Sequence, residues 1–277
     1  MATFTNQAML TYNGITVSSN IATGEMLEVL TVSKTAAQDT YVPADELTYA
    51  VSLINSGSTA LTGITLTDDL GGYTFGTVGT IYPLSLVDNS VLYYVNGVLQ
   101  PEPTVSAGPP MTISGINIPA GGNAVIVYHA NVTEYAPLDV DGSITNTVTA
   151  GVATATDTVA AADVANLDIT KSMSPTAVSE NDTITYTFSI TNSGNTAADT
   201  TAVLSDTFNP ILSDITVTMD GTVLTPVTDY TYNTVTGEFS TVAGVITVPA
   251  ATFAQDPDTG IVTVTQGTTV LTVSGTI

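Results

Sequence analysis

The chain carries 25 acidic residues but only two lysines and no arginine. Scarcity makes the position of each lysine informative. Lys34 closes the run "LEVLTVSK" (27–34), and Lys171 closes "ANLDITK" (165–171). Alternate residues of a strand share a face. Lys34 therefore falls with Leu30 and Val32, and Lys171 with Leu167 and Ile169. Both lysines sit on the apolar, inward phase, where a charge is most costly. Asp68 shares its phase with Ile64, Leu66 and Leu70, and Asp206 with Ala202, Leu204 and Phe208. Asn146 alternates with Ile144 and Val148, and Asn6 with Phe4, Ala8 and Leu10. Lys, Asp and Asn thus recur on faces that are otherwise apolar.

These three groups can react. Burial disfavours the charged forms of both Lys and Asp. A neutral amine can attack a carboxamide carbon, while a carboxyl group polarises the carbonyl and shuttles protons. Ammonia leaves and an isopeptide bond remains. A folded core supplies a high effective concentration and excludes water. The plainer alternative is a buried Lys–Asp ion pair whose hydrogen bonds an Asn completes, and such pairs do not by themselves guarantee stability. The recurrence of the set, in a chain with no other lysine, favours the covalent reading.

The elements that must position these residues are strands. Val, Thr, Ile and Tyr abound, with Gly and Pro at short intervals, as in an all-β protein. No long amphipathic helical pattern is present, and no apolar run approaches the roughly 18 residues of a membrane span. Self-comparison finds one repeat. "LTYAVSLINSGSTALTGITLTDDL" (47–70) matches "ITYTFSITNSGNTAADTTAVLSDTF" (184–208), with Tyr49 on Tyr186 and Asn55 on Asn192. "YVNG" (94–97) matches "TMDG" (218–221). "INIPAGGNAVIVYHANV" (116–132) matches "ITVPA" (246–250) plus "GTTVLTVSGTI" (267–277), with a short insertion between.

The first copy continues into "SITNTVTAG" (143–151), whereas the second, read to Ile277, lacks that element. Its echo lies at the other end, where Phe4-Thr5-Asn6 parallels Ile144-Thr145-Asn146. The repeat phase predicts a donor strand over 1–14, with Phe4, Asn6, Ala8, Leu10 and Tyr12 on its inward face. It predicts a linker over 15–26, a complete domain over 27–152, a linker over 153–164, and a domain over 165–277 lacking its last strand. Roughly seven short strands per copy predict two immunoglobulin-like β-sandwiches. An open sandwich exposes an edge that needs a filler. The predicted filler is the N-terminal strand of the next molecule, added by β-augmentation. Such a contact is heterologous and repeats into a filament.

Composition excludes several classes of function. With a net charge of −23, nucleic acid is not an expected partner. The absence of Cys excludes disulfides and thiolate chemistry. His129 is the only histidine, and mid-strand in "AVIVYHANV" it reads as structural. "DVDGS" (139–143) and "DPDTG" (256–260) lack the full ligand spacing of a calcium loop and read as turns. No metal or cofactor is expected. Tyr93, Tyr94 and Tyr128 read as core or rim packing.

The stretch "KSMSPTAVSENDTITYTFSITNSGNTAADTTAVLSDTF" (171–208) resembles the bacterial surface repeat called domain of unknown function 11. The resemblance is looser in the first copy, where Thr-Ala-Ala-Gln follows Lys34. It implies an immunoglobulin-like fold and a Gram-positive surface setting. The Lys/Asp/Asn arrangement is similar to that of Gram-positive pilin and adhesin domains with internal isopeptide bonds. That similarity implies a Lys34–Asn146 bond within the chain, assisted by Asp68. It also implies a Lys171–Asn6 bond between chains, assisted by Asp206. No leader, LPXTG-like sorting motif or membrane anchor is read, so assembly without a sortase is expected. The expected role is a structural subunit of a head-to-tail homopolymer, extracellular or on a spore surface, without membrane insertion. It is not an enzyme beyond its own cross-linking. The alternative is a cell-surface adhesin or spacer module.

Overall fold

The computed structural model describes residues 2–26, 28–198 and 201–277, which form strands and turns without a helix. Leu27, the expected first residue of the first domain, lies outside the described residues. Two β-sandwiches follow an N-terminal hairpin, and both have the immunoglobulin-like arrangement of two packed antiparallel sheets.

In the first sandwich one sheet is built on Glu46–Asn55, which pairs with Asn123–Val132 on one side and with the lysine strand, Leu30–Ala36, on the other. Strict alternation in Glu46–Asn55 buries Leu47, Tyr49, Val51 and Leu53 and turns the intervening residues outward. The facing sheet runs Met111–Ile118, then the aspartate strand Leu61–Asp68, the asparagine strand Ser143–Ala150, and Ala153–Ala161. Leu66, Ile113, Ile126, Tyr128 and Val148 meet between the sheets. The segment 153–164, expected as a linker, instead pairs along the whole asparagine strand from Ala150↔Ala153 to Ser143↔Ala160. Its Ala/Thr composition hides a strand because only Val159 and Ala161 bury fully on its inner face.

The second sandwich repeats the first sheet with the lysine strand Leu167–Ser174, Thr183–Asn192, Gly267–Thr276 and Ser213–Met219. Its facing sheet is short: Ser205–Thr207, Glu238–Thr241 and Tyr230–Tyr232. The aspartate strand of the first copy spans eight residues and is paired on both sides. Its second-copy counterpart spans three and is paired on one. Among the described residues its other edge carries no partner strand, and residues 201–204 form no strand.

The expected insertion in the second copy is a hairpin, Thr252–Gln255 with Val262–Thr265. It reaches back to the first sandwich. The Val262 amide donates to the Glu134 carbonyl at 2.8 Å, and Gln255 Nε2 donates to the Tyr73 hydroxyl at 2.7 Å. Gly260, at φ +75°, lies where a Cβ would press on Ile81.

Residues 2–26 form a free hairpin. Ala2–Asn6 pairs with Ala22–Met26, and Met9–Tyr12 with Ile15–Ser18. Asn13 and Gly14, both at positive φ, make the two-residue turn that matches strand twist. The segment 15–26, expected as a linker, is therefore the returning half of this hairpin. Among the described residues, no hydrogen bond joins the hairpin to either sandwich.

Candidate functional site: one triad closed, one triad open

Sheet pairing fixes the first site. Lys34 extends from the edge strand of one sheet, Asp68 from a central strand of the other, and Asn146 from the strand beside it. All three face the interior. Lys34 Nζ donates to Asp68 Oδ2 at 2.6 Å, with both side chains fully enclosed. The Tyr128 hydroxyl donates to the same oxygen at 2.6 Å. Asn146 Nδ2 in turn donates to the Tyr128 hydroxyl at 3.1 Å. The backbone amide of Leu70 holds Asp68 Oδ1 at 3.0 Å, which fixes the carboxylate. The structure thus joins Lys34 to Asp68 directly and Asn146 to Asp68 through the Tyr128 hydroxyl, a phenol between acid and amide.

Two buried side-chain atoms lack a hydrogen-bond partner among the described residues: the Tyr49 hydroxyl and Asn146 Oδ1. Both belong to this site. Orphaned buried polar atoms are rare and call for an explanation. The Tyr49 ring stacks on Tyr128 at 5.5 Å and lies 4.8 Å from Lys34 Nζ. The unpaired oxygen is the one that would gain charge if the Asn carbon were attacked. The Asn146 amide lies near enough to the Tyr49 hydroxyl to oppose part of the upward pull of burial on that phenol.

Burial sets the protonation tendencies. It pulls Lys34 below its ordinary value of 10.5, against a smaller opposing pull from the Asp68 carboxylate. The neutral, nucleophilic amine is thereby more accessible than in water. Burial raises Tyr128 well above 10.0, and the negative charge of Asp68 raises it further. Burial also raises Tyr49. Both phenols therefore remain proton donors.

The second site has the same beginning and no end. Lys171 Nζ donates to Asp206 Oδ2, but the Lys171 side chain is 41 % exposed. Tyr186, Phe188 and Phe208 surround the amine at 4.7, 5.3 and 5.4 Å from their ring centroids. Tyr186 occupies the place of Tyr49, whereas Val273, paired with Tyr186, occupies the place of Tyr128. The structure does not bring Asn6 here: it lies exposed on the hairpin, opposite Ala22. Phe4, Ala8, Leu10 and Tyr12 lie on the hairpin as well, all exposed. A cleft of about 390 Å³ opens beside the site, lined by Leu167, Ile169, Ile190, Ala202, Leu204 and Ile246.

From sequence Tyr128 reads as packing and Tyr49 as a repeat position, whereas in the structure both hydroxyls belong to this site. The inward phase of both residues was the available signal. His129 bonds Thr48 Oγ1 at 2.9 Å beside Glu46, in keeping with a structural role. Among the described residues no cluster of His, Asp or Glu could hold a metal. In the "DPDTG" turn, Asp256 Oδ1 accepts the amides of Asp258 and Thr259.

No family model matches the chain, so the resemblance of residues 171–208 to the surface repeat is not confirmed as membership. No curated protein matches it significantly. Solved structures similar to it include the pilus backbone of Streptococcus pneumoniae, at 11 % identity and TM-score 0.34, covering 86 % of this chain and 55 % of that one. The collagen-binding domain of an Erysipelothrix rhusiopathiae surface protein is 19 % identical, with TM-score 0.29 and 53 % and 49 % coverage. A serine-rich repeat adhesion glycoprotein of Streptococcus agalactiae is 10 % identical, with TM-score 0.27 and 88 % and 87 % coverage. The chain thus spans about half the length of the first two. The fold assignment rests on strand order and packing rather than on these scores.

Proposed function

We propose that the chain is a structural subunit of a self-assembling surface filament, joined head to tail by strand donation and locked by Lys–Asn isopeptide bonds. One observation carries this reading. The same inward Lys–Asp pair is sealed by an asparagine strand in the first sandwich and stands open in the second, while an exposed strand bearing Asn6 on an apolar face is free. Donation of that strand to the second sandwich of another copy would place Asn6 where Asn146 lies in the first.

The chemistry is the same at both sites. The neutral Lys amine attacks the Asn Cγ, forming the new C–N bond. The carbonyl oxygen gains charge, which a donor at the position of the Tyr49 hydroxyl would stabilise. The Asp carboxylate takes a proton from the attacking nitrogen and returns one to the leaving amide nitrogen. The old C–N bond breaks and ammonia departs. In the first site the Tyr128 hydroxyl, touching both Asp68 and Asn146, is placed to relay that proton. Each site reacts once and needs no cofactor or external substrate.

The test is a denaturing gel of boiled, purified protein together with electron microscopy. A ladder of multimers and visible filaments are expected. Lys171→Ala and Asn6→Ala should each abolish the ladder, and Lys34→Ala should leave it. Monomer alone, with no filaments, refutes the reading. A saturable ligand for that monomer would then favour the adhesin role.

A further inference from the structure

We infer that the element passed from one copy to the next is the whole hairpin of residues 2–26, with its returning strand covering the neighbour's lysine strand. This rests on the filament reading and specifies the joint.

Three observations carry it. First, the asparagine strand of the first sandwich does not close its site alone. Ala153–Ala161 pairs with it throughout and lies against the lysine strand, where Asp157 Oδ2 accepts the Ala36 amide at 2.6 Å. Second, the second lysine strand lacks such a cover. Leu30, Val32 and Ala36 are half-buried, whereas the corresponding Leu167, Ile169 and Met173 are exposed, Ile169 to 52 %. A single donated strand beside Ser205–Thr207 would complete that sheet and still leave these side chains wet.

Third, the hairpin has the face to cover them. Residues directly opposite in an antiparallel pair share a face. Phe4, Gly24, Asn6 and Ala22 therefore share a face of the first ladder, and Leu10, Val17, Tyr12 and Ile15 a face of the second. The two ladders meet across a one-residue register change, and Asn6 is the one amide among these residues. Thr3, Thr5, Thr11, Thr16, Ser18, Thr23 and Glu25 line the other, together with one apolar residue, Met9. Yet in the free chain the apolar face meets water, Leu10 at 67 % and Tyr12 at 74 % exposure. A contiguous apolar face on an isolated hairpin marks an interaction site.

The register selects the occupant. With Asn6 at the place of Asn146, Ala22 takes that of Asp157 and comes to lie against Met173, the counterpart of Ala36. Leu10 takes the place of Ala150, which in the first copy pairs with Leu66, the counterpart of Leu204. Leu204 lines the cleft beside the open site. The larger Leu10 and the following Tyr12 thus meet open volume rather than packed core. The occupant is a second copy of this chain.

The chain has no cysteine, so an engineered pair reports cleanly. Ala22→Cys and Met173→Cys are placed together in a chain that also carries Asn6→Ala. A ladder on a non-reducing gel that collapses to monomer with reductant is expected. The control pair Thr23→Cys with Met173→Cys, on the outer face, should give none. The same Ala22/Met173 cysteine pair is also made with Asn6 intact. If its ladder survives reductant while the Asn6→Ala chain gives no disulfide ladder, one strand alone is donated and the inference falls while the filament reading stands. If neither chain gives a ladder, both fall. A second variant guards against unfavourable cysteine geometry. Val17→Asp, at an exposed position of the returning strand, should leave monomer melting unchanged and abolish filaments, with Thr16→Asp as the tolerated control. Filaments from Val17→Asp at the normal yield would overturn the inference.

Discussion

Asn146→Leu separates a covalent site from a buried ion pair by magnitude. Leu has the branching and side-chain heavy-atom count of Asn, though its methyl groups are bulkier, and the substitution leaves Lys34, Asp68 and Tyr128 bonded to one another. Without a covalent bond, the variant loses one hydrogen bond, from Asn146 Nδ2 to the Tyr128 hydroxyl, worth about 1 kcal/mol. It also removes the orphaned Oδ1, which offsets part of that loss. With the bond, the variant opens a loop closed between residues 34 and 146. Chain-entropy arguments give about 5 kcal/mol for a cross-link over a loop of that size. For a domain of this size, 1 kcal/mol corresponds to about 4 °C in Tm. The first sandwich should thus melt about 20 °C lower if the bond is lost, and about 4 °C lower or less if it was never there. Calorimetry reads the shift. Intact mass reads the chemistry, because the parent should be lighter than its sequence by one ammonia per bond and the variant should regain one. A parent at full sequence mass, with a shift of a few degrees, refutes the covalent reading of the first site.

Tyr128→Phe removes the hydroxyl between Asp68 and Asn146. Mass spectrometry of freshly synthesised chain should show ammonia loss at the first site slowed about 100-fold, as for a lost proton relay. Cross-linking at the second site should keep its rate, because Val273 already stands there. The unlinked Asn146→Leu variant should also show a characteristic pH dependence in urea denaturation. Folded Lys34 releases its proton below 10.5, so between its lowered pKa and 10.5 the unfolded chain binds more protons and stability rises with pH. Tyr49 and Tyr128 act oppositely above pH 10, where the unfolded phenols ionise and the buried ones do not. Stability should therefore climb toward pH 10 and fall beyond it. A monotonic fall from neutral pH would contradict the buried, depressed lysine.

The inward phases of Lys34, Asp68 and Asn146 were legible because a strand's period is strict and the neighbours are large and apolar. The two strands misread as linkers had weaker patterns. Ala153–Ala161 buries small side chains at an edge, so little hydrophobic contrast remains. Residues 15–26 carry a clear signal, the Asn13-Gly14 pair between apolar runs, which favours a two-residue hairpin turn. Expecting a single donated strand obscured it. Tyr128 was hidden for another reason. A tyrosine on an inward phase reads as core, and only the partner across the sandwich shows that its hydroxyl meets Asp68.

The two halves of the chain form an internal comparison in which sequence type is nearly constant and coverage varies. The Lys–Asp contact forms in both sandwiches, so its geometry comes from the sheet framework and not from the asparagine strand. That framework is the repeated central pair, Glu46–Asn55 with Asn123–Val132 and Thr183–Asn192 with Gly267–Thr276. What the asparagine hairpin adds is enclosure: Lys34 is sealed and Lys171 is not. Enclosure is also what favours the neutral amine and excludes water from the attack. The second site holds the same Lys–Asp contact with its lysine partly exposed. On the filament reading, reaction would be conditional on docking. On that reading, a chain that docks incorrectly would leave Lys171 exposed, so a covalent step there would record only joints whose cover had seated.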